Sequence, residues 1–116
     1  GNVVLNSEDN IDFSSAGDIT TSGGDVAVSA DFVDTDADPT AVSDGIGAIT
    51  MADGAVVDAG DGEISLLANE DITLGGLTTA GNVNVTTSGG EVIDGGDTDI
   101  DISAATATIR AANGVG

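Results

Sequence analysis

The chain has 116 residues, of which 21 are Asp or Glu and one is basic, so its formal net charge is −20 at pH 7. Such a surface repels nucleic acid and anionic lipid, and no apolar run approaches the ~20 residues of a membrane-spanning helix, so we expect neither a nucleic-acid partner nor membrane insertion. The absence of Cys excludes a disulfide framework, a thiolate nucleophile and a Cys-type zinc site.

A short unit recurs from the first residue onward: Gly or an acidic residue, a polar residue, and then apolar, polar and apolar residues in turn. Its clear copies begin at Gly1, Gly24, Gly47, Gly62 and Gly81, and shorter relatives begin at Asn10, Gly17, Asp71, Gly90 and Asp99. The alternation places apolar residues such as Val26 and Val28 on one face of a short strand. Because β-branched residues recur in a chain that is 40% apolar, the pattern argues against disorder.

The spacing of the units indicates what the strands build. Gly1 to Gly24 and Gly24 to Gly47 are each 23 residues, and Gly62 to Gly81 is 19, which is typical of a solenoid period. The apolar anchors follow one another at steps of 7 or 8 residues: Val3, Ile11, Ile19 and Val26, and then Ile49, Val56, Ile64 and Ile72. Each step fits a strand of about five residues and a tight corner, so three sides close one rung.

These observations predict an all-β fold, a right-handed parallel β-solenoid with about five to six rungs of roughly 19–23 residues. Residues 1–116 are predicted to form one domain, a fragment of a longer repeat array. Glycines before strands, such as Gly23, Gly75 and Gly90, are predicted to supply positive φ at corners.

An antiparallel sandwich is the alternative fold, because it also has strands about every 8–12 residues. The similarity of the units favours the solenoid, since stacking of equivalent sides requires it. The near absence of aromatic residues does so too, because a solenoid interior is filled by Val, Ile, Leu and Ala, whereas sandwich cores use large aromatics between sheets about 10 Å apart.

Residues 31–44 interrupt the pattern and are predicted to form an acidic loop that protrudes from the second rung. Asp34, Asp36 and Asp38 alternate within it, so their carboxylates can converge on calcium, the only cofactor that we expect. They supply part of the about six to eight oxygens that calcium takes. The EF-hand pattern is not matched, because Pro39 stands where it requires Gly. The alternative is a solvated acidic loop.

A second acidic cluster contains Asp94, Asp97, Asp99 and Asp101. It lacks the full nonapeptide of calcium-binding β-rolls, and its alternation with Ile favours the outer face of a strand. In a stack, rungs lie ~4.8 Å apart, so carboxylates at equivalent corners repel by roughly 0.9 kcal/mol per pair in water. We therefore expect stability that depends on salt or calcium, whether or not a discrete site exists.

Residues 62–116 resemble the repeat tracts of giant filamentous-haemagglutinin-like bacterial exoproteins. The likeness is carried by residues 70–92, EDITLGGLTTAGNVNVTTSGGEV, extends more loosely to residues 1–30, and lapses across residues 31–44. The resemblance implies a long parallel β-helix exported across the outer membrane, whose shaft holds adhesive tips away from the cell. It thus implies an extracellular or cell-surface location and a structural or adhesive role.

Three roles are considered for the chain. The first is a structural or adhesive shaft segment of a secreted bacterial surface protein, whose partners are neighbouring repeats and a host or environmental surface or glycan. The second is the subunit of an extracellular filament, because neither end reads as a cap and an uncapped solenoid exposes strand edges to other copies. The third is a calcium-dependent module that binds a carbohydrate or a surface. Catalysis is not expected, since the chain lacks His, Cys, Lys and Tyr and therefore most general bases and nucleophiles.

Overall fold

The computed structural model describes residues 2–7, 9–14, 16–30, 47–52, 54–94 and 102–114. These residues form strands and no helix, and hence no helix long and apolar enough to cross a membrane. The strands are β1 (Val3–Ser7), β2 (Ile11–Phe13), β3 (Ile19–Thr20), β4 (Val26–Ala30), β5 (Ile49–Met51), β6 (Val56–Asp58), β7 (Ile64–Ala68), β8 (Ile72–Leu74), β9 (Gly76–Thr78), β10 (Asn82–Thr87), β11 (Val92–Asp94), β12 (Ile102–Ser103) and β13 (Thr106–Ala111). For the described residues, the prediction of an all-β fold is confirmed.

The strands form three sheets, and all the pairings between described strands are parallel. The first sheet has the order β1-β4-β7-β10-β13, the second sheet β2-β5-β8-β11 and the third sheet β3-β6-β9-β12. Consecutive strands therefore enter the three sheets in rotation. We call each group of three consecutive strands a layer, so that β1–β3 are the first layer and β13 begins the fifth. The arrangement is compatible with a parallel β-solenoid, and the antiparallel sandwich is wrong.

Equivalent strands are stacked in register, so alternate side chains form apolar columns on the inner face of each sheet. In the first sheet, Val28, Leu66 and Val85 occupy one such column, and each is at most 1% exposed. Burial of a side chain of this size stabilises the fold by about 1.5–3 kcal/mol. The buried core consists of Phe13, Val26, Val28, Ala30, Ile49, Met51, Ala55, Val57, Ala59, Ile64, Leu66, Ala68, Ile72, Leu74, Leu77, Val83, Val85 and Val92.

The predicted equivalence of the units at Gly24 and Gly47 is wrong. The strand that follows Gly47, β5, pairs with β2 and β8 in the second sheet, whereas β4 pairs with β1 and β7 in the first sheet. The register from Val26 to its partner Ile64 spans 38 residues, because residues 31–46 lie between β4 and β5 in the chain. The units are similar locally, but the number of strands between them decides which sheet each one enters.

The apolar anchor predicted at Val56 is wrong by one position. Val57 is fully buried, whereas Val56 is 37% exposed. Val57 lies between Ile19 and Leu77 in the third sheet. Because side chains alternate between the two faces of a strand, a shift of one residue exchanges inside for outside. Only the pairing with neighbouring strands distinguishes two adjacent valines.

Positive φ explains fewer of the glycines before strands than predicted. Gly23 has a φ of 111°, as predicted, but Gly75 and Gly90 are not among the described glycines with positive φ. At Gly90 the constraint is space, because an added Cβ would lie 2.5 Å from the backbone nitrogen of Asp71 in the preceding layer. Glycine at such corners permits the close approach of two layers.

Candidate functional site

The residues predicted to bind calcium, Asp34, Asp36 and Asp38, lie outside the described residues, as does the whole predicted loop at 31–44. In the second acidic cluster, only the backbone of Asp94 is described, as the last residue of β11. Within the described ranges, no group of three or more Asp, Glu, His or Cys side chains is placed to hold a metal ion. The calcium site therefore stays a prediction.

The residue directly before a strand is Asn or Asp at five positions in the described part of the chain, and each of these side chains links two layers. Its Oδ1 atom accepts a hydrogen bond from the backbone N–H of the equivalent residue in the next layer, at 2.8–3.0 Å. The pairs are Asn2 with Asp25, Asn10 with Ala48, Asp18 with Val56, Asp25 with Glu63, and Asp71 with Glu91. We call these five acceptor residues the corner ladder. They satisfy backbone donors at the corners of all three sheets.

The sequence analysis did not predict the corner ladder, because it treated corner carboxylates only as charges that repel one another. The signal was the small polar residue between Gly and the first apolar residue of the unit, as in Gly17-Asp18-Ile19. Asn and Asp have short side chains whose oxygen reaches nearby backbone N–H groups. What the pattern could not show is that the acceptor and the donor belong to different layers.

Asp71 provides a test that separates the two effects of a corner carboxylate. D71N keeps the Oδ1 acceptor for the N–H of Glu91 and removes a charge from the column, so we expect unfolding at an equal or higher urea concentration. D71A loses the acceptor, and we expect a loss of about 0.5–1.5 kcal/mol in the free energy of unfolding. Glu70→Ala is the control, since it removes a neighbouring exposed charge. Equal urea midpoints for D71N and D71A would contradict the ladder.

Two buried threonines, Thr79 and Thr87, form a second set of bonds between layers. The Oγ1 of Thr87 donates to the carbonyl of Glu70 at 2.7 Å and accepts from the N–H of Gly90 at 2.9 Å. The Oγ1 of Thr79 donates to a carbonyl of the preceding layer, that of Gly60 at 3.0 Å, and accepts from the N–H two residues later at 2.9 Å. Each hydroxyl thus satisfies a donor and an acceptor where the chain turns between sheets.

We expect T87V to lower the free energy of unfolding by about 2 kcal/mol, because the Glu70 carbonyl and the Gly90 N–H lose their buried partner while the side-chain shape is kept. Thr86→Val is the matched control on the same strand, where the side chain points outward, and it should change stability by less than about 0.5 kcal/mol. Urea unfolding followed by circular dichroism measures both variants. Similar midpoints for the two would show that the buried hydroxyl is not needed.

The outer face of the first sheet differs from the rest of the surface in its charge. Its two central columns are Val4, Ala27, Ser65, Asn84 and Thr108, and Asn6, Ser29, Leu67, Thr86 and Arg110. None of these residues is acidic, and Arg110 is the one basic residue of the chain. Val4 and Leu67 are 62% and 49% exposed. In a molecule with a net charge of −20, this face is a nearly neutral surface of small polar and apolar groups.

We expect the melting temperature to rise with ionic strength, because the corners stack carboxylates such as those of Asp25 and Glu63 in consecutive layers. At equal ionic strength, calcium chloride should raise it further than sodium chloride if the acidic loop binds calcium. The combined substitution D34N/D36N/D38N should then remove the extra rise. Scanning calorimetry measures both effects, and a melting temperature independent of salt would contradict the expected repulsion between layers.

Comparisons of the chain with models of protein families, with curated proteins and with solved structures found no match.

Proposed function

We propose that the chain is a structural or adhesive shaft segment of a secreted bacterial cell-surface protein, folded as a right-handed parallel β-solenoid. The observation that supports the shaft role best is the rotation of strands among three sheets. Each strand pairs only with equivalent strands of the layers before and after it, so the same stacking can be lengthened one layer at a time.

The right-handed sense follows from the general behaviour of parallel strands, whose crossover connections are right-handed in about 98% of cases. We propose five to six rungs, of which the described strands supply four layers and the first strand of a fifth. The proposed location outside the cell is supported by the likeness of residues 70–92 to filamentous-haemagglutinin-like repeats, and by a net charge that is best screened in a medium rich in cations.

The shaft role is tested on cells that produce the natural protein. An antibody against the segment should label intact cells, and brief protease treatment of those cells should remove the label. Negative-stain electron microscopy of the released protein should show a rod in which each layer adds ~4.8 Å. Labelling only after the cells are permeabilised, or a compact particle in place of a rod, would contradict this function.

For the adhesive part of the role, we propose that contact with a surface or glycan is made by the outer face of the first sheet. This face carries the least charge, so it approaches another surface with the least desolvation of carboxylates. We expect T86D to reduce the binding of protein-coated beads to the natural target surface, while Thr73→Asp, on the outer face of the second sheet, should not. Equal binding by both variants would remove this face from the proposal.

A filament subunit is the alternative function, supported by the strands at the two ends of the stack. Among the described strands, β1, β2 and β3 pair on one side only, as do β11, β12 and β13. Edges of this kind can pair with another chain. Analytical ultracentrifugation distinguishes the alternatives, since a filament subunit should sediment as species that grow with concentration and a shaft segment as a monomer.

A further inference from the structure

The first layer exposes a face that is chemically like the interior of the stack. The edges of β1, β2 and β3 that point away from the second layer have no partner among the described strands. Leu5 is 36% exposed there, whereas Val28, its partner in the second layer, is 1% exposed. Val3, Ile11 and Ile19 are also only partly buried, against the same core. We call this surface the first-layer edge.

The corner ladder has one direction throughout the described structure. In all five bonds, the Oδ1 acceptor belongs to the earlier layer and the backbone N–H to the later one. The second-layer residues Asp25, Ala48 and Val56 therefore receive their acceptors from the first layer, one in each sheet.

The residues that occupy the same three positions in the first layer are Asn2, Asn10 and Asp18. Val3 donates its N–H to the carbonyl of Asp25 at 2.9 Å, and N–H groups alternate between the two edges of a strand, so the N–H of Asn2 points toward the first-layer edge. By the same register, so do those of Asn10 and Asp18. Three corner donors are thus presented together with an apolar strip, in the geometry that an Asn or Asp of a preceding layer satisfies elsewhere in the stack.

We propose that the first-layer edge is the docking surface for a further three-stranded layer of the same repeat array, which has Asn or Asp directly before each of its strands. The inference rests on the proposed shaft role and adds to it the chemistry of the neighbouring repeat. Its Oδ1 atoms accept from Asn2, Asn10 and Asp18, and its inner side chains cover Val3 and Leu5.

A second copy of this segment fits the first-layer edge less well. The described strands end with β13 in the first sheet and with β11 and β12, one layer earlier, in the other two sheets. A copy whose β1 followed β13 would leave one strand position empty in both of the other sheets. At the ladder position of β13 stands Thr106, which is neither Asn nor Asp. The occupant is therefore a layer with its three strands at one level.

The experiment uses the whole chain with residues 2–24 repeated directly before Asn2, because this segment carries Asn or Asp at all three ladder positions and has the 23-residue spacing that joins Asn2 to Asp25. We expect the melting temperature to rise by at least about 5 °C. Hydrogen exchange at the amides of Asn10 and Asp18 in the original first layer should slow by about tenfold or more.

The matched control carries the same added segment with Asn2→Ala, Asn10→Ala and Asp18→Ala in the added copy only. It keeps the apolar strands, so slow exchange at the three original corner amides should be lost even where the strands still stack. Equal protection by both added segments would overturn the ladder, and no protection by either would overturn the docking surface. Protection that appears instead in the unaltered chain as it oligomerises would make a second copy the occupant. None of these results changes surface labelling of intact cells, so failure of the shaft role is detected separately.

Discussion

Leu66→Ala should lower the free energy of unfolding by about 2–5 kcal/mol, the largest loss that we expect from a single substitution in this chain. Leu66 is 1% exposed and lies in the middle of β7, between Val28 of the second layer and Val85 of the fourth. Removing its side chain leaves a cavity that the two layers cannot close, because the backbone hydrogen bonds of the sheet hold them ~4.8 Å apart.

Leu67→Ala is the matched control, since it makes the same chemical change one residue along the same strand. Leu67 points outward and is 49% exposed, so we expect a loss below about 1 kcal/mol. Chemical unfolding of both variants, followed by far-ultraviolet circular dichroism, gives the comparison. If L67A proved as damaging as L66A, the inner and outer faces of the first sheet would be wrongly assigned.

Gly62→Ala should have the second largest effect, a loss of about 2–3 kcal/mol or failure to fold. Gly62 is buried at the corner where the third layer begins. A Cβ on this residue would lie 2.6 Å from the carbonyl carbon of Gly24 in the second layer and closer still to its oxygen. Because the contact is with backbone, no side-chain rotation relieves it, and the two layers would have to separate.

Gly76→Ala is the control for this substitution. A Cβ on Gly76 would make only ordinary contacts, the nearest being 3.4 Å from Cγ2 of Val56. We expect its stability to equal that of the parent or exceed it by up to about 1 kcal/mol, since alanine reduces the entropy of the unfolded chain. Thermal unfolding of the pair tests whether the close approach of layers, and not glycine itself, is what the corner requires. A G62A variant that melts with G76A would show that the corner yields.

The repeat of the unit predicted the parallel stack but not the order of stacking. The units at Gly24 and Gly47 are alike, yet they enter different sheets, because residues 31–46 lie between β4 and β5 and only one strand separates the two units in the sequence of sides. Spacing counts residues, whereas stacking counts strands. The two agree only where no segment is inserted, as between Ile64 and Val83, which are 19 residues apart.

For the candidate sites, the sequence showed which groups are present but not what they contact. The polar position before each strand was visible as Asn or Asp, but its role as an acceptor from the next layer depends on residues that are 20 to 38 positions away. The buried Thr87 gives no local signal that distinguishes it from Thr86, since the two are identical in type and adjacent. Burial separates them, and burial is decided by the strands on either side.

What the sequence determined by itself is local: alternating apolar residues, recurring glycines and small polar corner residues are sufficient for short strands with one apolar face and for an all-β fold. The tertiary structure alone decided which strands are neighbours, which of Val56 and Val57 faces inward, and which N–H each corner oxygen accepts. The physical reason is that these outcomes depend on contacts between layers, in which residues about 20 or more positions apart are brought to ~4.8 Å by parallel pairing. The same contacts leave the first-layer edge with donors and apolar groups that match a further layer of the same kind.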